Sequence, residues 1–463
     1  MERRGAIPFL IICLWAIAVF PNLSVRSFIW EEGTNAEIAR DILSNGNLLQ
    51  PEVYGLRWNE KPSLLPWLVA GVAKATGEVN EFSARLPAAI AVVLTALLVQ
   101  TLTRRYASRN ASLLAALLFM FSPLLLQKLA IAEPDTLVTL LSFAAFTLWW
   151  NGVEAGRIGF WRWIGCGLLL AILAMAKGPQ PVGYFALGVA AYIVFARRWR
   201  DIPGLFTCLT MPAVATVAWA AAVYQPGDEA TWINYARLRP ATSLADYLVR
   251  NAQVSLHIAV ELLPAILLAP FLIWRARRNA SRADIPPVAL PLALYAGMCT
   301  IAVLIWPGSN SRYAMPCVPA VAVIAGFAWD AIAGTAYARL RGITVVAVCL
   351  LAAFQIALAN VVMPLFADRF GASRIAGQSI ERAVRNDPAP AFCTDLATNQ
   401  LFYARVPIRY IDPSELASAM APAWLIMPRD QALLLARREP GRVHLVVETE
   451  SGPRLSALRF SRE

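Results

Sequence analysis

Apolar stretches long enough to span a bilayer as helices, which takes about 20 residues, recur along the chain from Ala6 to Met363. A backbone in contact with lipid must satisfy its own hydrogen bonds, so only helices and closed barrels can span a membrane. The 463 residues are 58% hydrophobic and 15% charged, which is the balance of a membrane protein. We therefore predict an all-α polytopic membrane protein that carries a small C-terminal α/β domain.

The apolar stretches predict eleven transmembrane helices. The first stretch follows Glu2-Arg3-Arg4 and resembles a signal peptide, but no cleavage motif of small residues comes after it. We therefore expect it to be retained as a membrane anchor. The predicted spans cover residues 6–25, 86–104, 111–130, 135–151, 162–176, 179–196, 203–224, 254–274, 287–306, 314–333 and 343–363.

Arginine clusters between the spans predict the orientation of the chain, because cytoplasmic loops carry an excess of positive charge. Clusters in alternate loops all fall on the side of the N-terminus: Arg104/Arg105/Arg109, Arg157/Arg162, Arg197/Arg198/Arg200, Arg275/Arg277/Arg278/Arg282 and Arg339/Arg341. We expect a cytoplasmic N-terminus and a periplasmic C-terminus, in a bacterial inner membrane. The net charge of +11 is spread over these loops, so we assign it to contacts with membrane lipids and expect no nucleic-acid partner.

The loop 26–85 and the C-terminal tail are the two large periplasmic segments of this topology. Within the loop, the apolar spacing predicts two helices that lie in the plane of the membrane surface, at residues 35–43 and 62–75. The tail contains apolar runs of strand length at residues 391–393, 408–411, 424–427 and 443–447, and a helical stretch at 431–438. We predict a transmembrane domain over residues 1–363 and a periplasmic α/β domain over residues 364–463.

The cysteines and histidines limit the chemistry that the chain can perform. Six of the seven cysteines lie inside apolar runs and Cys393 lies in the tail, so the sequence contains neither a disulfide framework nor a CxxC metal motif. Its two histidines, His257 and His444, are far apart in the sequence. We therefore expect no cofactor and no histidine catalysis. No metal site is indicated, although a divalent ion stays open.

Two acidic clusters, Glu31-Glu32 and Glu133-Pro134-Asp135, follow the outer ends of predicted spans. Carboxylates near a bilayer are costly unless they face water, a cation or a substrate. Further polar groups are predicted on the same face: Glu60-Lys61, Lys177 and Arg312-Tyr313. Any one of these groups alone is more often a solvated loop, a helix cap or a headgroup anchor. Together they predict an active site at the outer membrane surface.

Five short motifs follow one another between Phe28 and Pro319. They read E-E-x-x-x-A-E-I-A-R, P-x-x-x-G-L-x-x-x-E-K-P-x-L-x-x-W, x-D-x-L, A-K-G-P and R-Y-x-x-P-x-x-P. In their order and common sidedness they resemble the membrane glycosyltransferases of the GT-C superfamily. The resemblance is closest to the branch that holds aminoarabinose transferase and the dolichyl- or polyprenyl-phosphate-mannose protein mannosyltransferases.

The resemblance implies a sugar donor carried on a polyprenyl phosphate and an acceptor at the outer membrane face. It implies catalytic roles for Glu31, at the first acidic position of the family, and for Asp135, at the second. Glu32 is a neighbour that could substitute for Glu31. Roles in donor binding follow for Lys61, which is expected near the donor phosphate, and for Glu60, Lys177, Arg312 and Tyr313.

The chain departs from the family pattern at two places. Glu31 stands where the family usually has aspartate, and its side chain is one methylene longer. Thr34-Asn35 stand where the family usually has Arg-Tyr, which removes a cation and an aromatic ring. These departures bear on the identity of the sugar and on activity itself.

The residue types also fit the chemistry of sugar transfer. A carboxylate base for the incoming hydroxyl accelerates such reactions roughly 10²–10⁴-fold, and fixed cations stabilise a leaving phosphate. A monophosphate leaving group requires a divalent metal less strongly than a nucleotide diphosphate does, so we expect metal independence. We predict an integral-membrane glycosyltransferase whose acceptor is a hydroxyl or phosphate of lipid A or lipopolysaccharide, of another glycolipid, or of a protein.

Two other functions stay open at this point. A transporter or flippase for lipids or solutes would carry polar groups and broken helices near the midpoints of its spans, and the midpoints here are apolar. A non-catalytic assembly subunit would account for the departure at Thr34-Asn35. The sequence identifies neither the sugar nor the acceptor.

Overall fold

The structure is a computed structural model that describes residues 5–237, 243–278, 285–306, 310–335, 337–412, 415, 422–439, 443–448 and 455–460. Of the arginines near the predicted cytoplasmic face, Arg3, Arg4 and Arg282 lie outside the described residues. The chain is mostly helical, because a helix satisfies every backbone hydrogen bond within one apolar segment.

The helices follow one another along most of the chain. Those before residue 200 are α1 (Ala6–Val19), α2 (Asn22–Val25), α3 (Glu32–Asn45), α4 (Leu64–Thr76), α5 (Glu81–Arg104), α6 (Arg109–Met120), α7 (Pro123–Lys128), α8 (Asp135–Glu154), α9 (Phe160–Lys177) and α10 (Val182–Phe195). Those after it are α11 (Ile202–Val223), α12 (Asp228–Arg237), α13 (Leu244–Glu261), α14 (Ala265–Arg278), α15 (Ala289–Ile305), α16 (Val318–Ala331), α17 (Arg339–Ala357), α18 (Met363–Leu365), α19 (Ala367–Phe370), α20 (Ala372–Val384), α21 (Thr398–Leu401) and α22 (Arg429–Arg438).

Seven helices in the described part of the chain are long and apolar enough to cross a membrane. They are Ala6–Val25, Glu81–Arg104, Asp135–Glu154, Phe160–Lys177, Trp199–Val223, Ser311–Ala331 and Arg339–Leu365, and each coincides with a predicted span. Three further predicted spans contain the shorter apolar helices α6, α10 and α15. The one remaining predicted span, 254–274, contains part of a bent pair of helices. A multi-span architecture is therefore observed, and the count of eleven stays a prediction.

Two predicted spans are wrong as continuous helices. In the predicted span 111–130, α6 ends at Met120 and a new helix begins, because the Ser122 hydroxyl accepts from the Leu125 N–H at 3.4 Å and caps α7. In the predicted span 254–274, α13 and α14 meet at an angle of 90°. The break precedes α14 at Pro264, which has no N–H to continue the hydrogen-bond ladder of the helix.

The chain folds into two compact units. The first unit contains Met1–Phe20, Glu60–Leu65 and Pro87–Leu358, and the second contains Pro21–Asn59, Pro66–Leu86 and Ala359–Glu463. The second unit thus joins most of the predicted loop 26–85 to the C-terminal tail. The predicted division of the chain at residue 363 into two domains stays a prediction.

Helix packing in the first unit centres on an aromatic cluster. Helix α9 packs between α8 and α11, and α10 packs against α15. The Tyr295 ring of α15 lies 5.0 Å from the Phe146 ring, and its hydroxyl lies 2.7 Å from the Ser142 hydroxyl. Gly188 permits this contact, because a Cβ at that position would lie 2.8 Å from the Tyr295 Cα. These contacts fix α8, whose first residue is Asp135.

A mixed five-stranded sheet forms the tail part of the second unit. Strands lie at all four predicted positions, and a fifth, Leu455–Phe460, was not predicted. In chain order the sheet strands are Ala391–Cys393, Ile408–Tyr410, Ala423–Pro428, Val443–Glu448 and Leu455–Phe460. The first pairs in parallel with the second and third, and the fifth lies between the third and fourth in antiparallel pairing. Leu425, Met427 and Leu458 form a buried core under α22.

The loop part of the second unit contains the two helices that the apolar spacing predicted. Helix α3 covers the predicted residues 35–43, and α4 covers most of residues 62–75. Helix α3 ends at Gly46, which adopts a left-handed φ of 72° and donates its N–H to the Ile42 carbonyl. A short hairpin of Glu52–Val53 and Leu56–Arg57 separates the two helices. Their position at a membrane surface stays a prediction.

Candidate active site

Four of the predicted site residues meet at helix ends in the first unit. Asp135 begins α8, Lys177 ends α9, and Arg312 and Tyr313 lie in the 3₁₀ turn Ser311–Cys317 that leads into α16. The Lys177 ammonium forms an ion pair with the Asp135 carboxylate and lies 4.3 Å from the centre of the Tyr313 ring. The Arg312 guanidinium lies 5.5 Å from the same ring. The structure therefore brings together residues that are far apart in the sequence; the most distant two, Asp135 and Tyr313, are separated by 178 positions.

Lys128 and Glu133 extend this cluster. Glu133 was predicted only as a member of the acidic cluster that contains Asp135, and Lys128 was not predicted as a site residue. They form a buried ion pair with each other, and Arg312 Nη1 lies 3.3 Å from Glu133 Oε2. Burial raises the pKa of Glu133 above its ordinary value, while the charge of Lys128 acts in the opposite direction. Glu133 belongs to a recognised acidic cluster, but Lys128 lies within a predicted apolar span, where its pairing partner could not be inferred.

An apolar cavity of about 600 Å³ adjoins the cluster in the first unit. Lys61, Lys177 and Tyr313 line it, together with Glu60. The rest of its wall is mainly apolar, with contributions from Tyr184, Leu187, Trp219, Ala220, Trp232, Ala302 and Trp306. An apolar chamber with a few convergent polar groups is typical of a site for an amphiphilic ligand. The predicted donor-binding residues Glu60, Lys61, Lys177 and Tyr313 thus share one cavity.

Glu32 lies in the second unit, where it is fully buried between two arginines. Arg85 Nε donates to Glu32 Oε1 at 2.7 Å and Arg85 Nη2 donates to Oε2 at 2.9 Å. Arg26 Nη1 lies 3.1 Å from Oε2, and the Ile29 N–H donates to the same oxygen at 3.1 Å. Burial and the neighbouring Arg85 lower the pKa of Arg26 to about 10. These contacts fit a structural role for Glu32 better than a role in proton transfer.

Glu31 occupies the N-cap position of α3, where its side chain makes no capping hydrogen bond, and it is only partly buried. The preceding residue, Trp30, is 54% exposed and has a left-handed φ of 51°. Glu31 and Glu32 both belong to the second unit, whereas Asp135 belongs to the first. A common site for Glu31 and Asp135 therefore stays a prediction.

Tail residues contact the segment around Glu31, and no sequence pattern predicts these contacts. The Thr34 and Thr398 hydroxyls lie 2.9 Å apart, and Asn399 bonds to the backbone on both sides of the acidic pair. The Asn35 amide donates to the Glu31 carbonyl at 3.0 Å. The two residues that replace the usual Arg-Tyr pair thus hold the start of α3, Thr34 through the distant Thr398 and Asn35 through the neighbouring Glu31 carbonyl.

No group of three or more histidine, cysteine or acidic side chains within the described ranges is arranged to hold a metal ion. The ionic contacts of Asp135 and Glu133 are made to lysine and arginine. The expected independence from a divalent metal stays a prediction.

Known proteins match both the sequence and the fold. The family described as dolichyl-phosphate-mannose-protein mannosyltransferase matches residues 60–221. The crystal structure of ArnT from Cupriavidus metallidurans bound to undecaprenyl phosphate matches with a TM-score of 0.71 and 17% identity, over 98% of both chains. The predicted resemblance to GT-C glycosyltransferases is confirmed. The apo form of the same ArnT gives a TM-score of 0.72 at 18% identity, over 98% of this chain and 97% of its own.

The chain is also similar in sequence to proteins named as aminoarabinose transferases. An undecaprenyl phosphate-alpha-4-amino-4-deoxy-L-arabinose arabinosyl transferase from Sodalis glossinidius is 30% identical over 199 residues, which are 42% of this chain and 36% of that protein. A transferase of the same name from Pseudomonas fluorescens is 27% identical over 345 residues, 70% of this chain and 58% of its own length. The match therefore spans only part of these relatives.

Proposed function

We propose that the chain is an integral-membrane glycosyltransferase that moves a sugar from a polyprenyl-phosphate donor to an acceptor at the periplasmic face. The observation that carries the proposal is the apolar cavity of about 600 Å³ lined by Lys61, Lys177 and Tyr313. The fold of an ArnT that binds undecaprenyl phosphate and the names of the sequence relatives support it.

The cavity suits the two chemical parts of such a donor. A phosphate requires cationic donors in a site with little water, where charge-assisted hydrogen bonds are strong. Lys61, which is 8% exposed, and Lys177 supply the positive charge on the cavity wall. A polyprenyl chain requires an apolar wall, which Trp219, Trp232 and Trp306 provide.

The reaction is a displacement at the anomeric carbon of the sugar. The acceptor oxygen forms a bond to that carbon while the bond from the carbon to the phosphate oxygen breaks. The phosphate leaves with the bonding electron pair, and Lys61 and Lys177 stabilise its developing charge. A carboxylate accepts the proton of the acceptor hydroxyl.

We assign the base to Glu31 and a positioning role to Asp135. The ion pair of Asp135 with Lys177 orients the lysine and neutralises the carboxylate. Glu32, with two arginines around it, holds the turn that carries Glu31. Glu31 is the one of the three that is partly exposed at a helix end.

The finer parts of the proposal concern topology, metal and acceptor. We propose eleven spans with a cytoplasmic N-terminus, and a C-terminal α/β domain in the periplasm of a bacterial inner membrane. We propose that no divalent metal takes part, because lysines offer charge to a monophosphate leaving group. The sugar is proposed to be carried on undecaprenyl phosphate, and the acceptor to be lipid A, another glycolipid or a protein.

The test uses the purified full-length chain in lipid nanodiscs with undecaprenyl-phosphate-linked 4-amino-4-deoxy-arabinose, and separately with other polyprenyl-phosphate sugars. Mass spectrometry of added lipid A, glycolipid and protein should detect the mass of one sugar on one of them, with or without a metal chelator. Release of undecaprenyl phosphate should match the sugar transferred.

Two results would contradict the proposal. Movement of the donor lipid across proteoliposomes, without any transfer, would identify a flippase. The chain would be identified as an assembly subunit by two results together. It would bind the donor but transfer the sugar to no acceptor, and a partner protein would transfer the sugar only when this chain is present.

A further inference from the structure

The side chain of Asn399 spans the turn that carries the two acidic residues. Its Oδ1 accepts from the Gly33 N–H at 3.0 Å, and its Nδ2 donates to the Trp30 carbonyl at 2.9 Å. Glu31 and Glu32 lie between these two backbone groups in the sequence. One amide group therefore joins the backbone before the acidic pair to the backbone after it.

The turn contains a backbone conformation that is unfavourable for a residue with a large side chain. Trp30 has a left-handed φ of 51°, which L-residues with a side chain rarely adopt. The Trp30 carbonyl, which follows this φ, is the group that Asn399 holds. The contact thus secures the most strained point of the turn.

Gly33 permits the tail to approach the start of α3 closely, because it has no side chain. A Cβ at that position would lie 2.7 Å from the backbone nitrogen of Asn399 and 2.7 Å from the Thr398 carbonyl oxygen. The hydroxyls of Thr34 and Thr398 meet one residue further along. A glycine, an amide and a pair of hydroxyls therefore fit the tail against the start of α3.

We propose that Asn399 is a positioning residue for Glu31. With the turn fixed on both sides, Glu32 is directed to Arg85 and Arg26 while Glu31 stays at the helix end. The tail therefore sets the orientation of the base from a position more than 360 residues away, as the 369 positions between Trp30 and Asn399 show. This role rests on the proposed function, in which Glu31 accepts the proton.

The variant that tests this role is Asn399→Asp, which keeps the shape of the side chain. It removes the donor to the Trp30 carbonyl and adds a negative charge beside the acidic pair. We expect kcat to fall by roughly 10- to 100-fold, the range in which small misplacements of a catalytic group act, with the donor KM changed less than about twofold.

Asn47→Asp is the matched control. Asn47 also spans a turn of the second unit, since its Nδ2 donates to the Gln50 carbonyl at 2.7 Å and its Oδ1 accepts from the Gln50 N–H at 2.9 Å. The control makes the same chemical change in a turn without an acidic pair, so kcat should stay at the wild-type value.

A second measurement separates positioning from general support of the fold. In the Glu31→Gln protein, Asn399→Asp should lower the residual rate no further, because the two changes act through the same group. An additional loss there, as large as in the wild type, would show a merely structural role and overturn the inference.

Hydrogen exchange provides a readout that does not need activity. Peptides that cover residues 28–36 should exchange faster in Asn399→Asp than in the wild type, and Asn47→Asp should leave them unchanged. Unchanged exchange in Asn399→Asp, or full kcat in that variant, overturns the inference. Absence of transfer by the wild type, with the exchange difference present, overturns the proposed function and with it the role of Glu31 as base.

Discussion

Glu31 and Glu32 are neighbours in the sequence, yet their side chains have different environments. Consecutive residues at the start of a helix point about 100° apart, so one carboxylate can face the interior while the other does not. The sequence predicted both as acids of a site. It could not separate their roles, because the partner Arg85 lies 53 positions from Glu32 and only the fold brings the two together.

Replacing Glu32 with glutamine should destabilise the chain by about 3–5 kcal/mol, because Arg85 would be left buried without its counter-charge. The expected readout is a lower midpoint of thermal unfolding in detergent. Glu78→Gln is the control in the same unit, since its pair with Arg405 is 3.2 Å long and more than half exposed and should contribute about 0–1 kcal/mol. Equal effects of the two variants would contradict a structural role for Glu32.

Replacing Glu31 with glutamine should slow the chemical step by roughly 10²–10⁴-fold and leave a residual rate, because the amide keeps the size of the side chain but cannot accept a proton. Donor binding, measured by calorimetry, should persist. Asp135→Asn should leave residual turnover and mainly raise the apparent KM for the donor, because Asp135 is proposed to orient Lys177 toward the donor phosphate. Glu31→Asp restores the usual residue of the family and reports whether the reach of the carboxylate matters. Full activity of both amide variants would contradict the two-carboxylate site.

At the scale of elements, the predicted helices are largely where apolar periodicity put them. Helices α3 and α4 and the four predicted strands of the tail all lie at their expected positions. The breaks near Phe121 and Leu262 were missed, because hydrophobicity reports burial and not the continuity of the backbone. The strand Leu455–Phe460 was missed because its apolar residues are interrupted by Ser456 and Arg459.

The segment Glu60–Leu65, which includes the first two residues of α4, places Lys61 at the cavity, and this position predicts how Lys61 affects donor binding. Lys61→Met keeps the apolar stem of the buried side chain and removes the charge. Loss of one charge-assisted contact of about 1.5–3 kcal/mol should raise the donor KM by roughly 10- to 150-fold. Steady-state kinetics at limiting donor measure the change.

Lys74→Met is the matched control for Lys61. It makes the same change at an exposed position near the end of α4, and transfer should proceed with the wild-type donor KM. Unchanged kinetics in Lys61→Met would show that Lys61 only anchors the chain to lipid headgroups.

The contact between α3 and α21 should make Gly33 sensitive to a single methyl group. Gly33→Ala places a Cβ against the backbone of Thr398 and Asn399, and overpacking of this kind costs about 1–3 kcal/mol. Gly71→Ala is the control, because nothing lies within 4 Å of its Cβ position in α4, and alanine should stabilise that helix slightly. Thermal unfolding of both variants tests the pair, and a stable Gly33→Ala would argue against the tight contact.

At the scale of the whole molecule, the order of motifs predicted the fold type, and the structural match to ArnT bears this out. The cluster of Asp135, Lys177, Arg312 and Tyr313 was predicted as residues that share one face, and the structure brings them into contact. The two compact units could not be predicted, because the second is assembled from three separated segments whose contacts have no signature in local sequence.

The arginine pattern predicts that Arg200 and Arg369 lie on opposite sides of the membrane. Alkaline phosphatase fused after Arg369 should be active, since the enzyme requires the periplasm, and a fusion after Arg200 should be inactive. Green fluorescent protein at the same positions should give the reverse result. Activity of both phosphatase fusions would remove the common outer face on which the proposed site depends.

The assembly of the second unit from distant segments has a consequence for synthesis of the protein. Phe28 is fully buried, with its ring 4.9 Å from that of Phe402, and Tyr403 bonds to both the Phe28 N–H and Glu81. Between translation of Leu86 and Ala359 the ribosome needs roughly 15–55 seconds at about 5–20 residues per second. Throughout that interval Phe28 lacks its contacts with Phe402 and Tyr403, so a polypeptide that terminates before these residues would expose Phe28 to chaperones and proteases.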